Sequence, residues 1–333
     1  MVSIATICSH SALQIFHGAR QEGFGTIGVA KKSVKKTYGS FPLAAPDEYI
    51  IVDDYYRLLH PSIQRGLIKK NTVIIPHGSF VEYIGSENIL SKLKVPLFGN
   101  RKSLKWESSR SKQEEWLKKS KVRFPKAIDF EDIDERVFVK FGGAKGGKGF
   151  FSVSSRTEFL EECVKRKVDS KTAAIQEFLV GSRYYLHFFH SPMQKRLEFL
   201  GADKRIEIID EAYRGLPKVN EDFFDYTVTG NAPVVLRESL LPQALDMGER
   251  VLEASRKLFK PGLIGPFCLE TMLTKNGFVC FEISARIVAG TNLYPQGSPY
   301  SPYIFEEPMS TGRRIAVELA EAEREGKLEK VLS

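Results

Sequence analysis

A lysine at a strand end and the glycine-rich run behind it have the clearest chemical content in this chain. Val137-Phe138-Val139-Lys140-Phe141 reads as a strand. Gly142, Gly143, Ala144, Lys145, Gly146, Gly147, Lys148 and Gly149 follow, and Phe150-Phe151-Ser152-Val153-Ser154 reads as a returning strand. Glycine lets backbone N–H groups approach an anion, and lysine adds point charge, so the run suits a hairpin flap over a polyphosphate; the alternative is a plain surface hairpin. Gly142, Gly147 and Lys148 fit G-x-x-x-x-G-K. However, Gly149 stands where a P-loop needs Ser or Thr, and a strand follows where a helix must open. The missing helix also weakens a dinucleotide-binding reading.

A second constellation lies near the C-terminus. Phe267-Cys268-Leu269-Glu270-Thr271-Met272-Leu273-Thr274 and Phe278-Val279-Cys280-Phe281-Glu282-Ile283-Ser284-Ala285-Arg286 read as the arms of a hairpin joined by Lys275-Asn276-Gly277. A two-residue Asn276-Gly277 turn would put the two acids on opposite faces. A three-residue loop, with Gly277 left-handed in a G1 bulge, pairs Glu270 with Glu282. The second register is expected, because Cβ atoms about 5 Å apart let both carboxylates hold one Mg²⁺ or Mn²⁺. Solvated surface acids are the alternative. In that register Arg286 shares the face of Glu282 and can meet a phosphate or a transient oxyanion.

The elements that must position these groups are legible upstream. Apolar runs at Ser3–Ile7, Gly25–Ala30, Tyr49–Val52 and Thr72–Ile75 alternate with helical spacing, predicting parallel strands with helices between them. Ligands bind such sheets at the carboxyl ends of the strands, where the loops carrying His10-Ser11 and His77-Gly78-Ser79 can converge. Each histidine taken alone reads equally well as a cap or surface group. Helices are expected at 157–166, 242–259 and 314–324, and a strand running into a hinge at 171–181. The fold class is α/β (α+β overall). The expected organisation is 1–95 as an N-terminal Rossmann-like domain, 96–180 as a lid subdomain with Trp106, Trp116 and Leu117 anchoring its first helices, and 181–333 as a C-terminal subdomain.

Composition narrows the function classes. The chain has 333 residues and a formal charge of +8, with its lysines dispersed, so no nucleic-acid partner is expected; paired acids beside a phosphate site would repel a polynucleotide. No run approaches about 18 apolar residues and the N-terminus lacks a basic leader, so no membrane association and a cytoplasmic location are expected. Cys8, Cys163, Cys268 and Cys280 lack metal or disulfide spacing. Tyr294, Tyr300 and Tyr303, each beside a proline, read as an exposed contact surface.

In this order the parts resemble the ATP-grasp superfamily, with a strand lysine, a glycine flap, an acceptor-rich hinge and paired acids. The resemblance implies an N-terminal Rossmann-like domain ahead of the ATP-grasp unit. It also implies that Lys140 contacts the α-phosphate of ATP and that Gly142, Gly143, Lys145, Gly146, Gly147 and Lys148 close on the outer phosphates. Gln176, Glu177, Leu179 and Val180 would line the adenine and ribose slot, with Glu207 on ribose hydroxyls, and Glu270 and Glu282 would hold the metal. Ser284 departs from the asparagine common there, which leaves the second metal position open. Five blocks extend the resemblance over the whole chain: Cys8–Ile15, Pro76–Phe80, Gln176–Gly181, Val228–Asn231 and Arg237–Leu240. They are similar to the archaeal formate-dependent ligases of purine synthesis. That family implies ATP, formate and 5-aminoimidazole-4-carboxamide ribonucleotide (AICAR) as substrates and a homo-oligomer. His10, Ser11, Ser79, Asn231, Arg237, Thr291 and Asn292 would bind the nucleotide substrate, and Arg286 would act with Lys140 in the chemistry. Another carboxylate–amine ligase of the same fold and a non-catalytic nucleotide sensor are the alternative readings.

Overall fold

The computed structural model describes residues 2–141, 149–207 and 227–333. The first sheet is parallel, in the order β3-β2-β1-β4, from β1 (Ser3–Ile7), β2 (Thr26–Lys31), β3 (Glu48–Val52) and β4 (Thr72–Ile74). Helices α1 (Ala12–Gln21), α2 (Lys32–Gly39) and α3 (Pro61–Lys69) make the crossovers, and α4 (Gly78–Tyr83) and α5 (Ser86–Lys92) follow β4. Ile4, Ala5, Ile7, Val29 and Ile74 are buried, as expected of parallel strands covered on both faces. From β1 the chain winds first toward β2 and β3 and then crosses back to place β4 on the other side of β1, so the winding order reverses between β1 and β4. Their C-terminal loops therefore flank the crevice that such sheets offer a ligand.

Helices α6 (Arg101–Glu107) and α7 (Arg110–Ser120) come next, but they do not build the lid as expected from the sequence. Trp116 is fully buried among Val251, Leu252 and Phe259, and its Nε1 donates to the Val251 carbonyl at 3.0 Å. An indole with an apolar body and one donor takes the site that satisfies both, and here that site lies in the C-terminal part of the chain. The lid is smaller: an antiparallel sheet β6-β5-β7 of β5 (Val137–Lys140), β6 (Phe150–Val153) and β7 (Ala174–Glu177), covered by α8 (Arg156–Arg166). Val137, Val139, Phe151, Val153, Phe159 and Cys163 form its core. Ser155 caps α8, accepting from the Glu158 N–H at 3.2 Å, as its position before the helix predicts. The expected strand over 171–181 shortens to β7.

The body is an antiparallel sheet, β10-β9-β8-β11-β12, of β8 (Ser182–Ser191), β9 (Arg196–Glu207), β10 (Val228–Val234), β11 (Gly265–Thr274) and β12 (Gly277–Ser284), with α9 (Leu241–Leu258) against it. Leu186, Phe188, Phe199, Leu269 and Ile283 on one face share a core with Met247 and Val251 of α9. The other face is polar. The register places Asp203, Tyr185, Glu270 and Glu282 in one row across β9, β8, β11 and β12. Directly opposed residues point to the same side of a sheet, so this row forms the floor of the site.

The last helix, α10 (Thr311–Arg324), returns to the first sheet and crosses α1. A Cβ on Gly18 would fall 2.2 Å from the Arg313 nitrogen, and one on Gly312 would fall 2.1 Å from the Gln14 carbonyl oxygen. Only glycine permits that approach. Tyr294 and Tyr300 are not the exposed contacts read from the sequence. Tyr294 is buried with its hydroxyl on the Ala202 carbonyl, and the Tyr300 hydroxyl accepts from the Leu236 N–H at 2.8 Å. Tyr303 alone of the three is largely exposed, at 86%.

Candidate active site

Glu270 and Glu282 face each other, as expected, but the turn that pairs them differs from the expected one. Thr274 pairs with Gly277, so the turn is Lys275-Asn276, and Gly277 closes it at φ +95°. That register alone would leave Glu270 opposite Phe281. A β-bulge between the Thr271–Cys280 and Glu270–Glu282 pairs inserts Phe281 as the extra residue and restores the acid pair. The displaced Phe281 ring takes up a cation–π position 5.8 Å below the Lys140 Nζ.

The pair is electrostatically loaded. Glu270 is buried, with Oε1 accepting from Arg205 Nη2 at 3.0 Å and from the Ser284 hydroxyl at 3.2 Å. Glu282 opens to solvent. Its carboxyl is pushed up to about 7, first by the charge of Glu270 and then by desolvation, with Arg205 and Lys140 opposing. Burial lowers the Lys140 ammonium and Arg110 lowers it further, while Glu282 and Glu270 pull it back up. Among the described residues no cluster of three His, Cys, Asp or Glu side chains gathers. Two facing carboxylates and a hydroxyl are nonetheless a donor set suited to Mg²⁺, which commonly takes one or two carboxylates and fills its remaining positions with water and substrate phosphates.

This gives a prediction with a definite sign. The folded protein holds a proton on Glu282 between the ordinary value of 4.5 and about 7, so its stability falls as pH rises through that window. A divalent cation replaces the proton. Addition of Mg²⁺ is therefore expected to raise Tm more at about pH 8 than at about pH 5.5. Thermal melts with and without the ion check this, and an equal increment at both pH values would contradict it.

Arg286 lies beyond the end of β12 rather than within the hairpin. Its guanidinium is held by the carboxylate of Glu107 at the end of α6, with Nε and Nη2 at 3.0 and 2.9 Å from Oε1. Burial raises the Glu107 carboxyl and the charge of Arg286 opposes this, while Arg286 Nη1 donates to the Ile287 carbonyl at 3.4 Å. Ile287 next to it bridges to His77, which ties the body to the first sheet.

The two loops of the first sheet do meet. Ser9 Oγ lies 2.9 Å from Ser79 Oγ, and the His10 and His77 rings stack in parallel at 5.3 Å. His10 adopts φ +53°, and its Nδ1 contacts the buried Ser11 hydroxyl at 2.7 Å. Gly78 lies beneath: a Cβ there would fall 2.9 Å from His10 Nε2 and 3.5 Å from the Arg286 guanidinium carbon. Desolvation, with the charges of His77, Arg286 and Arg205, keeps His10 below the usual imidazole range and neutral at pH 7. Gln14 Nε2 donates to Thr291 Oγ1 at 2.6 Å and to Asn292 Oδ1 at 2.7 Å, and Asn292 Nδ2 donates to the His10 carbonyl at 3.2 Å. His10, Ser11, Ser79, Thr291, Asn292 and Arg286 thus line one edge of the cleft.

Other expected residues lie on the lid sheet, in the hinge and on the body sheet. Gln176 and Glu177 lie on β7, with Glu177 Oε1 accepting from the Lys126 N–H at 3.1 Å. Leu179 is half-buried and Val180 exposed in the hinge. Glu207, expected on ribose, gives both carboxylate oxygens to Arg183. Asn231 is paired with Arg205 and donates Nδ2 to Asp203 Oδ2 at 2.6 Å. Arg237 is exposed ahead of a short 3-10 turn, and no contact among the described residues draws it into the cleft. Gly142, Gly143, Lys145, Gly146, Gly147 and Lys148 lie outside the described residues.

The sequence reading missed Arg205, Glu107, Asp203 and Gln14. Strand alternation on Asn231's partner could have found Arg205 and Asp203. Glu107 carries no local signal, being 179 residues from Arg286.

Comparison with known proteins places this geometry. Residues 4–128 match the family described as Protein of unknown function (DUF1246), and residues 153–333 match Domain of unknown function (DUF1297). A 5-formaminoimidazole-4-carboxamide-1-(beta)-D-ribofuranosyl 5'-monophosphate synthetase of Korarchaeum cryptofilum is 52% identical, with 99% of this chain and 95% of that protein aligned. Among solved structures, an IMP biosynthesis protein PurP from Thermococcus kodakaraensis superposes with TM-score 0.80 at 34% identity, covering 99% of this chain and 100% of that one. A biotin carboxylase from Campylobacter jejuni shares the fold, with TM-score 0.68 at 13% identity over 96% of this chain and 71% of that one. The chain has the ATP-grasp fold and belongs to the family of 5-formaminoimidazole-4-carboxamide ribonucleotide synthetases, ligases of IMP biosynthesis.

Proposed function

We propose that this protein joins formate to the 5-amino group of AICAR with cleavage of ATP to ADP and phosphate. The observation that carries the reading is the meeting of two half-sites in one cleft. Glu270, Glu282 and Lys140 stand on one side, and the His10, Ser79 and Arg286 edge of the parallel sheet stands on the other. A ligase that must bring a phosphorylated acid to a nucleotide amine needs both.

Formate is a poor acylating agent, and the ring amine is a weak nucleophile because its lone pair is delocalised. Activation therefore comes first. A formate oxygen attacks the γ-phosphorus, the bond to the β–γ bridging oxygen breaks, and ADP leaves. The amine nitrogen then attacks the formyl carbon, the carbon–oxygen bond to phosphate breaks, and the amine proton ends on the departing phosphate. The chain's share is positioning and charge neutralisation. Lys140 faces the nucleotide phosphates, and Gln176, Glu177, Leu179 and Val180 flank the adenine slot. Arg286, held by Glu107, presents guanidinium N–H groups to the oxygen that gains charge when the amine adds. His10, Ser11, Ser79, Thr291 and Asn292 hold the nucleotide monophosphate, with Asn231 at the base. Glu207, whose carboxylate is bonded to Arg183, flanks the ribose slot. Glu270 and Glu282, assisted by the Ser284 hydroxyl, would hold Mg²⁺ or Mn²⁺, which supplies Lewis-acid neutralisation of phosphate charge.

The order of steps has an isotopic signature. With formate labelled at both oxygens with ¹⁸O, one label is expected in inorganic phosphate and one in the formyl group, read by mass spectrometry. Phosphate free of label while product forms would contradict activation through formyl phosphate.

A further inference from the structure

On the same polar face, beside Arg205, lies a buried carboxylate that the reaction as described does not use, bonded to a buried histidine on one side and to Asn231 on the other. Asp203 is 1% exposed and His187 is 2% exposed. Asp203 Oδ1 lies 2.7 Å from His187 Nε2, and Oδ2 accepts from Asn231 Nδ2 at 2.6 Å. Burying a carboxylate this deeply is costly unless each oxygen is bonded, and here each is. The arrangement also fixes Asn231 chemically. A carboxylate can only accept, so the amide must present its NH₂ to Asp203, which leaves Oδ1 as the outward atom. Among the described residues nothing bonds that oxygen, and Asn231 is half-buried.

The backbone is shaped around Asp203 as well. A Cβ on Gly290 would fall 2.1 Å from Asp203 Oδ1, so only glycine lets this loop close over the carboxylate. The same loop carries Thr291 and Asn292, which reach Gln14 and the His10 carbonyl. One carboxylate thereby lies against both the amide of Asn231 and the segment that reaches the His10 loop.

We infer that Asp203 is a positioning residue that locks the Asn231 amide with its carbonyl oxygen aimed at an N–H donor of the amine substrate. This rests on the proposed function, since it takes an aminoimidazole carboxamide as the occupant. A carbonyl acceptor at this point selects a base that offers an amine or carboxamide N–H and disfavours one that presents only acceptors there.

The test uses the full chain, with KM for AICAR and for ATP measured separately. Asp203→Asn lets the 231 amide take either orientation and is expected to raise KM for AICAR by roughly 10-fold or more, with KM for ATP within about twofold. The exchanged pair Asp203→Asn with Asn231→Asp restores one donor facing one carboxylate and keeps an acceptor at 231. It is expected to bring KM for AICAR back to within about threefold of wild type. A rise confined to KM for AICAR, and reversed by the exchange, is a result that a purely structural role for Asp203 would not produce. Should Asp203→Asn fail to fold, Asn231→Ala must show the same selective rise. An unchanged KM for AICAR, or equal rises for both substrates, overturns the inference while leaving the ligase reading intact. Absence of wild-type turnover on AICAR overturns both.

Discussion

Replacement of Glu270 by glutamine is expected to lower kcat by roughly 10²–10³-fold while leaving the protein folded. The substitution keeps the shape of the side chain and removes one of two facing charges. Arg205 and Ser284 lose an anionic acceptor, so the remaining acid is no longer held opposite a fixed carboxylate. Because Glu270 is the first cause of the raised Glu282 carboxyl, the Glu282 carboxyl of the metal-free variant is expected to move down toward the ordinary carboxylate range. Relief of like-charge repulsion offsets part of what Arg205 loses, so Tm is expected to stay within about 3 °C of wild type. Steady-state kinetics at saturating ATP, with thermal melts alongside, separate these outcomes. A variant that keeps more than about a third of wild-type kcat would remove Glu270 from the metal and phosphate chemistry.

Arg314→Met is expected to be the most destabilising single replacement outside the cleft. Arg314 is fully buried on α10, bonding Glu198 through Nε at 2.8 Å and Nη2 at 3.0 Å, with Nη1 2.9 Å from Glu318. Its guanidinium lies over the Phe189 ring at 4.4 Å. Glu318 is also held by the Ser191 hydroxyl at 2.9 and 2.8 Å, and Glu198 by Arg196 at 2.8 Å. Removing the cation leaves two buried carboxylates sharing weaker partners, which costs about 3–5 kcal/mol. For a chain of this size that corresponds to a fall in Tm of roughly 4–7 °C if it melts as one unit. Adding Glu318→Gln to Arg314→Met is expected to return part of the loss, since it withdraws one stranded charge. A single variant melting within about 1 °C of wild type would contradict the role given to this cluster.

The parts that were legible in the sequence are those whose signals are local. The βα units of the first sheet, the strand ending in Lys140, the cap at Ser155 and the pairing of Glu270 with Glu282 all follow from alternation, spacing and turn chemistry within about a dozen residues. The pairing came out as expected for a different reason. Gly277 does take a positive φ, but it closes a two-residue turn, and the missing residue of register is supplied at Phe281. A bulge at phenylalanine has no composition signal. The packing of α6 and α7, the burial of Tyr294 and the strut from Glu107 to Arg286 depend on partners 92 or more residues away, so no local pattern announces them. No helix among the described residues is long and apolar enough to cross a membrane.

The central claim is that both half-sites serve one formate-dependent ligation, and substrate omission tests it most directly. ADP release is followed with ATP and Mg²⁺ in the presence of AICAR, formate, both or neither, with the nucleotide product identified by mass. ADP and formylated nucleotide are expected in equal amounts, and only when ATP, AICAR and formate are all present. Formate-independent ADP release, or nucleotide binding with no turnover in the complete mixture, would contradict the account and point to another acid, another amine or a sensor on the same fold.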